Sequence, residues 1–445
     1  MTYSKDTRTI VPGEIYVAIE GEHYDGHDFI PQAIEKGAAG IVTEQALDSV
    51  DVPSGVEVTR VEDAVGYLTE QATEKIERLG PDILAITGSM GKTTTKEATR
   101  AVLSQDFEVI VSAGNKNTPL GLSLLVLNRE ITPRTKLVLE MGARLPGDLK
   151  RLCSYFPPVV SVITNVRRVH IETFGSIEGV QREKSELVRA LPPGGTACLN
   201  GDDERVVAME EHNAGSAITY GLGASCDIGP ERVTARLPSL GEPAQYAALA
   251  AMSAGRAFGM SEDRINDGLE KQEPEKGRLR RLPGRSGSVL IDDSYNASPA
   301  AVRAAFDVLD DQAAEQREEH GSARRVAFLG DMLELGETED QQHAAVLRDA
   351  LDATDELHAV GEIMARGAAQ LSENERARVT LHEDSATLAE ALRTGAVYEP
   401  REGDVILVKG SQGPRMERVS EALLHEGTDP ADVLVRQSEA WKQIA

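Results

Sequence analysis

Short apolar runs rich in Val, Ile, Leu and Ala recur along this chain, separated by stretches in which apolar residues return every three or four positions. The first pattern predicts buried strands and the second amphipathic helices. Strands are expected at Ile15–Ile19, Ile83–Thr87, Leu137–Met141, Val159–Thr164, Val289–Asp292, Val326–Gly330 and Val405–Lys409. Alternation of this kind folds as an α/β protein with mostly parallel sheets covered by helices on both faces. Breakers divide the chain into three segments: 1–80, ending at Gly80-Pro81; 81–284, ending in a cluster of Gly277, Pro283, Gly284 and Gly287; and 285–445. The acidic stretch Asp310–His320 reads as a helix end followed by a solvated loop.

Composition narrows the classes. The chain has 445 residues, of which 40% are hydrophobic and 4% aromatic, so its cores rest on aliphatic side chains. No apolar run reaches the length of a membrane-spanning helix, and the polar stretch Met1–Thr9 does not resemble a signal peptide. The three cysteines, Cys153, Cys198 and Cys226, are odd in number and widely spaced, which suits neither a disulfide framework nor a zinc site. These features point to the cytoplasm. A formal net charge of −26 argues against nucleic-acid or anionic-membrane binding. It also means that an anionic substrate must be met by local cations.

The strongest local signal is Gly88-Ser89-Met90-Gly91-Lys92-Thr93-Thr94, set between the strand ending at Thr87 and a helical stretch from Thr95 to Leu103. Glycines let several backbone N–H groups turn toward one point, and the helix N-terminus adds partial positive charge there. Lys92 can then reach the β- and γ-phosphates of a nucleotide, and the Thr93 hydroxyl can bind Mg²⁺. Only Ser89 and Met90 separate the first glycine from the Gly-Lys pair, so the loop is a variant of the usual phosphate-binding pattern.

Ligands of open parallel sheets sit beyond the carboxyl ends of the strands. There the next strand delivers Glu140, a carboxylate suited to a hard cation. The one after it ends at Asn165, with His170 close behind as a candidate second ligand. Lys184 falls in a predicted helix Ile177–Leu191, on the face shared by Val180, Leu187 and Val188. Burial on that face lowers a lysine pKa. Two readings follow: a stem that packs while its ammonium reaches water, or a neutral amine that takes up CO₂ as a Mg²⁺-binding carbamate. In the last segment, the loops Asp292–Pro299, Gly330-Asp331 and Lys409–Gly413 also follow strands. They suggest a cleft that closes over the nucleotide.

Taken in order, these stretches resemble the Mur ligases along nearly the whole chain. They are residues 6–30, then TGSMGKTTTKE, GNKNTPLG, EMGA, ITNVRRVHIETFGSIEGVQREKSEL, LNGDD, DDSYNASP, LGDMLELGE and VKGSQGPRMERV. The resemblance implies three domains: an N-terminal α/β substrate domain, a central P-loop NTPase-like parallel-sheet domain and a C-terminal Rossmann-like domain. It implies a monomeric ligase that uses ATP and Mg²⁺ to add D-alanyl-D-alanine to a UDP-N-acetylmuramoyl-tripeptide through an acyl phosphate. Lys92 and the amides of residues 88–94 would hold ATP. Thr93 and Glu140 would bind one Mg²⁺, and Glu140, His170 and carbamylated Lys184 a second. Asp293, with Asn296 nearby, would hold the ribose. Asn117 and Thr118 would line the γ-phosphate region. Asp6, Thr7 and Arg8, with Tyr295, Lys409 and Ser411, would contact the peptide substrates.

The chain departs from the family in three places. The family's Gly-x-His-Asn-x-x-Asn stretch, in the helix that contacts adenine, reads Gly241-Glu242-Pro243-Ala244-Gln245-Tyr246-Ala247. The span Tyr220–Leu240 is short, and the chain begins close to Asp6. Two other functions stay open at this point: a ligase acting on a different carboxylate outside peptidoglycan, and a non-catalytic nucleotide-binding homologue.

Overall fold

The computed structural model describes residues 2–21, 24–48, 50–112, 117–168, 171–273, 275–438 and 441. Among these residues it contains three sheets. The first is built from β1 (Tyr3–Ser4), β2 (Ile15–Val17), β3 (Gly40–Thr43) and β4 (Glu57–Arg60), all parallel and paired in chain order. The second comprises β5 (Asp82–Thr87), β6 (Glu108–Val111), β7 (Thr135–Glu140), β8 (Val160–Ile163), β9 (Thr196–Asn200) and β10 (Ser216–Tyr220). Its strands are parallel in the order β10-β9-β8-β5-β7-β6. The third holds β11 (Arg280–Pro283), β12 (Val289–Asp293), β13 (Arg325–Gly330), β14 (Glu356–Val360), β15 (Val379–His382) and β16 (Val405–Lys409). Its order is β11-β12-β16-β13-β14-β15, and only β11 runs antiparallel to its neighbour.

The first two sheets belong to one compact unit, Met1–Arg236 with Tyr246–Gln272. The third belongs to another, Leu237–Gln245 with Glu273–Ala445. The third sheet therefore begins ahead of the Gly284 break read from the sequence, because β11 pairs with β12. Burial explains the strand pattern. Every residue of β7, β12 and β16 is buried, as parallel strands covered on both faces require. Among the described residues no helix is long and apolar enough to cross a membrane.

The acidic stretch is not a loop. Asp310–His320 is the second half of a single helix, Pro299–His320, which ends only at Gly321 in the left-handed conformation (φ 80°). Gln312, Ala313 and Gln316 are buried along it, so the glutamines carry the inward face that an apolar stripe would normally mark.

Candidate active site

The order of the second sheet places the site. β5 lies between β7 and β8, so the carboxyl ends of these three strands are neighbours: Ile86 is level with Glu140, and Thr87 with Ile163. The chain leaves β5 through Gly88–Gly91 and enters the helix Lys92–Leu103, which starts three residues earlier than the sequence suggests. Gly91, at φ 77°, makes the left-handed turn into that helix. Lys92 and Thr93 therefore sit in its first turn, where N–H groups lack intrahelical partners.

Side chains converge on this turn. The Thr93 hydroxyl donates to Glu140 Oε2 at 2.9 Å, and the Lys92 ammonium donates to Gly88 O at 2.8 Å and Ser89 O at 3.4 Å. Glu140 is buried, its backbone N–H held by Ser112 Oγ at 2.9 Å. Asn117 Nδ2 approaches Glu140 Oε1 at 3.4 Å. Gly142 makes room for that approach, since a Cβ there would stand 2.7 Å from Asn117 Nδ2. Thr118, next in the chain, caps the helix Pro119–Leu127, its hydroxyl accepting from Gly121 N–H at 3.3 Å.

Lys184 is buried on the helix Ile177–Arg189 beside Val180, Leu187 and Val188, as the spacing predicts. Desolvation, aided by the Lys92 charge and opposed by Glu183, pulls its amine down to about 7 from 10.5. His170 lies outside the described residues. Among those residues no three His, Cys, Asp or Glu side chains cluster as a metal set. A cation here would draw on other donors, namely the Thr93 hydroxyl and Lys184 as its carbamate. The Thr93–Glu140 pair fits Mg²⁺. Oxygens on adjacent corners of an octahedral ion at ~2.1 Å lie about 3 Å apart, and these two already do.

Sequence reading missed Lys96. It is 1% exposed and donates to Ser112 O at 2.7 Å, on the residue that holds Glu140. The signal was present: Lys96 shares a helix face with Thr99 and Leu103, the same argument that singled out Lys184.

In the same unit, Thr7 is buried and its hydroxyl donates to Gln32 Oε1 at 2.6 Å. Asp6 is paired with Arg8 at 2.7 Å, and this partner pulls its carboxyl down to about 2. The Arg8 side chain remains 85% exposed. The helix Gly241–Ala257 carries the altered stretch, with Ala244 and Ala247 buried and Tyr246 donating to Asp202 Oδ2 at 2.9 Å.

The second unit gathers its three motifs at the carboxyl edge of the third sheet. Lys409 ends β16, and its ammonium meets Asp293 Oδ2, at the end of β12, at 2.5 Å and Asn296 O at 3.0 Å. Burial raises the Asp293 carboxyl, and Lys409 opposes that shift. Ser411 Oγ donates to Ala297 O at 3.3 Å and accepts from Leu333 N–H at 2.9 Å, and Ser411 N–H donates to Asp331 O at 3.0 Å. The Tyr295 ring has the Arg278 guanidinium 4.3 Å from its centroid. Asn296 is exposed.

Comparison with known proteins bears on both units. The Mur ligase family catalytic domain matches residues 3–75, the Mur ligase middle domain 86–238, and the Mur ligase glutamate ligase domain 277–412. The UDP-N-acetylmuramoyl-tripeptide–D-alanyl-D-alanine ligase of Bacillus subtilis is 31% identical over 94% of this chain and 92% of its own length. The Escherichia coli ligase of the same name is 30% identical over 95% and 93%. Among solved structures, MurF from Acinetobacter baumannii superposes with a TM-score of 0.80 at 26% identity, covering 95% of this chain and 93% of that one. MurF from Thermotoga maritima in complex with ADP gives 0.79 at 26%, covering 95% and 96%.

Proposed function

The chain belongs to the Mur ligase family, and from that premise we propose that it joins D-alanyl-D-alanine to a UDP-N-acetylmuramoyl-tripeptide at the expense of ATP. It would do so as a cytoplasmic monomer making peptidoglycan precursor. The observation that carries this reading is the convergence of Lys92, Thr93 and Glu140 at the end of β5 and β7, with Lys184 close enough to feel the Lys92 charge. In this reading residues 1–80 hold the UDP-linked precursor, 81–284 form the ATP-binding domain and 285–445 the C-terminal domain, with β11, just ahead of the second bound, paired to β12.

In this reading the loop amides and Lys92 hold the ATP phosphates. Mg²⁺, when bound by Thr93 and Glu140, draws charge from the phosphate oxygens; a second ion would use Glu140, His170 and carbamylated Lys184. The tripeptide carboxylate attacks the γ-phosphate to give an acyl phosphate and ADP. The dipeptide amine then attacks the acyl carbon and expels phosphate. Lys92 offsets negative charge as it shifts between oxygens. Asn117 holds Glu140 toward the loop. In the second unit, Asp293 and Asn296 are assigned to the ribose, and Tyr295, Lys409 and Ser411 to the substrate side. Arg8, exposed beside Asp6 and Thr7, is assigned to the UDP-linked substrate.

The test is phosphate release from ATP and Mg²⁺ with UDP-N-acetylmuramoyl-tripeptide, with D-alanyl-D-alanine added or withheld. Release that needs both partners, with a pentapeptide product by mass, is expected. Absence of release with both present overturns the reading. Glu140→Ala should raise the Mg²⁺ concentration for half-maximal rate by about tenfold or more, the scale on which metal sites respond to lost support. An unchanged Mg²⁺ titration would remove Glu140 from the ligand set.

A further inference from the structure

Asn200, the last residue of β9, and Asp203, both within the LNGDD run, take no part in the chemistry above, yet their side chains reach the segment that follows β8. Asn200 Nδ2 donates to Thr164 O at 2.8 Å in a buried bond. Asp203, 4% exposed, accepts Val166 N–H at 2.9 Å and faces Arg167 Nη1 at 3.3 Å. Together they fix the segment that follows β8.

That segment holds the phosphate loop. Asn165 Oδ1 accepts Met90 N–H at 3.0 Å, and Asn165 Nδ2 donates to Met90 O at 3.2 Å. The Thr164 hydroxyl donates to the same carbonyl at 2.6 Å. Ser89 N–H donates to Asn165 O at 3.0 Å, and Arg167 N–H donates to Ser89 Oγ at 2.9 Å. Gly88 permits the approach, since a Cβ there would lie 1.8 Å from Thr164 Oγ1. One primary amide thus satisfies both backbone groups of a loop residue, as a paired strand would. Phosphate-binding loops work when their N–H groups already face one point. A loop that must first be ordered spends conformational entropy out of its binding energy.

We propose that Asn165 is a positioning residue for the phosphate loop, kept in place by Asn200 and Asp203, and that it sets nucleotide affinity. The proposal rests on the reading of residues 88–94 as the ATP phosphate site. Only the carboxamide serves. An aspartate would keep an acceptor for Met90 N–H, lose the donor to Met90 O, and add negative charge beside the phosphates.

The experiment is calorimetric titration of Mg²⁺ and ADP into the full-length wild type, Asn165→Ala, Asn165→Asp and Asp203→Asn, with KM measured for ATP and for the dipeptide. The Asn165 variants should bind ADP about tenfold more weakly, the scale of one or two lost hydrogen bonds. Asp203→Asn should show a smaller loss, and the dipeptide KM should stay put in all three. Wild type that fails to bind ADP overturns the phosphate-site reading itself. Wild type that binds, with both Asn165 variants binding as tightly, overturns the brace alone. A lowered thermal midpoint with unchanged ADP affinity does the same, by assigning Asn165 to stability. Where Asn165→Ala does not fold, Asn165→Asp, close in shape to the native side chain, decides the matter.

Discussion

Replacing Lys92 with alanine is expected to reduce kcat/KM for ATP by on the order of 10²–10³-fold or more, the loss seen when a preorganised group facing developing charge is removed. Lys92 opens the helix that follows β5, and its ammonium folds over the loop carbonyls of Gly88 and Ser89. A cation at a helix N-terminus opposes the helix dipole, so this lysine weakens its own helix. Alanine there should leave thermal stability unchanged or slightly raised, which separates lost activity from lost folding. Lys92→Arg should rescue poorly, because a planar fork does not reproduce a compact ammonium. There is a second consequence. The Lys92 charge helps to keep the Lys184 amine low, so its removal shifts Lys184 back toward the protonated form. Steady-state kinetics beside a thermal melt would check both points. Turnover near the wild-type rate would sink the assignment of residues 88–94 to ATP.

What could be read in the sequence was whatever depends on near neighbours. The strands at Ile83–Thr87 and Val405–Lys409 are continuous apolar runs, and the structure places them within a residue of their expected bounds. Lys184 was legible because four residues of one helix face fall within nine positions. The Pro299–His320 helix was cut short because its inward face near the end carries glutamines, and only Gly321 marks the stop. Contacts between distant residues could not be read. Lys409 and Asp293 are 116 positions apart, and nothing local shows that β12 and β16 are neighbours. Asn165 was visible as a strand end, but its bond to Met90 needs β8 beside β5, a pairing that strand order alone reveals. Thr7 and Thr118 look like free hydroxyls in sequence, and each is engaged with its own domain.

Lys184→Ala is expected to lower activity by on the order of 10²-fold, if its carbamate helps to hold a cation against the transferring phosphoryl group. Added acetate or formate should restore part of the rate, by placing a carboxylate where the carbamate stood. Burial pulls the amine down to about 7, which fixes the sign of the pH effect. Between pH 7 and the ordinary lysine value the folded chain holds this group neutral, while the unfolded chain holds it protonated. The unfolded state then binds more protons, so this residue's effect on stability becomes more favourable as pH rises through that window. Below pH 7 the folded amine is charged, and its full burial cost is present. Only the neutral amine takes up CO₂, so activity dependent on added bicarbonate should climb as pH passes through 7. In Lys184→Ala, dependence on bicarbonate should vanish while dependence on acetate appears. Full activity in that variant, with no response to either, would leave Lys184 as a packing residue.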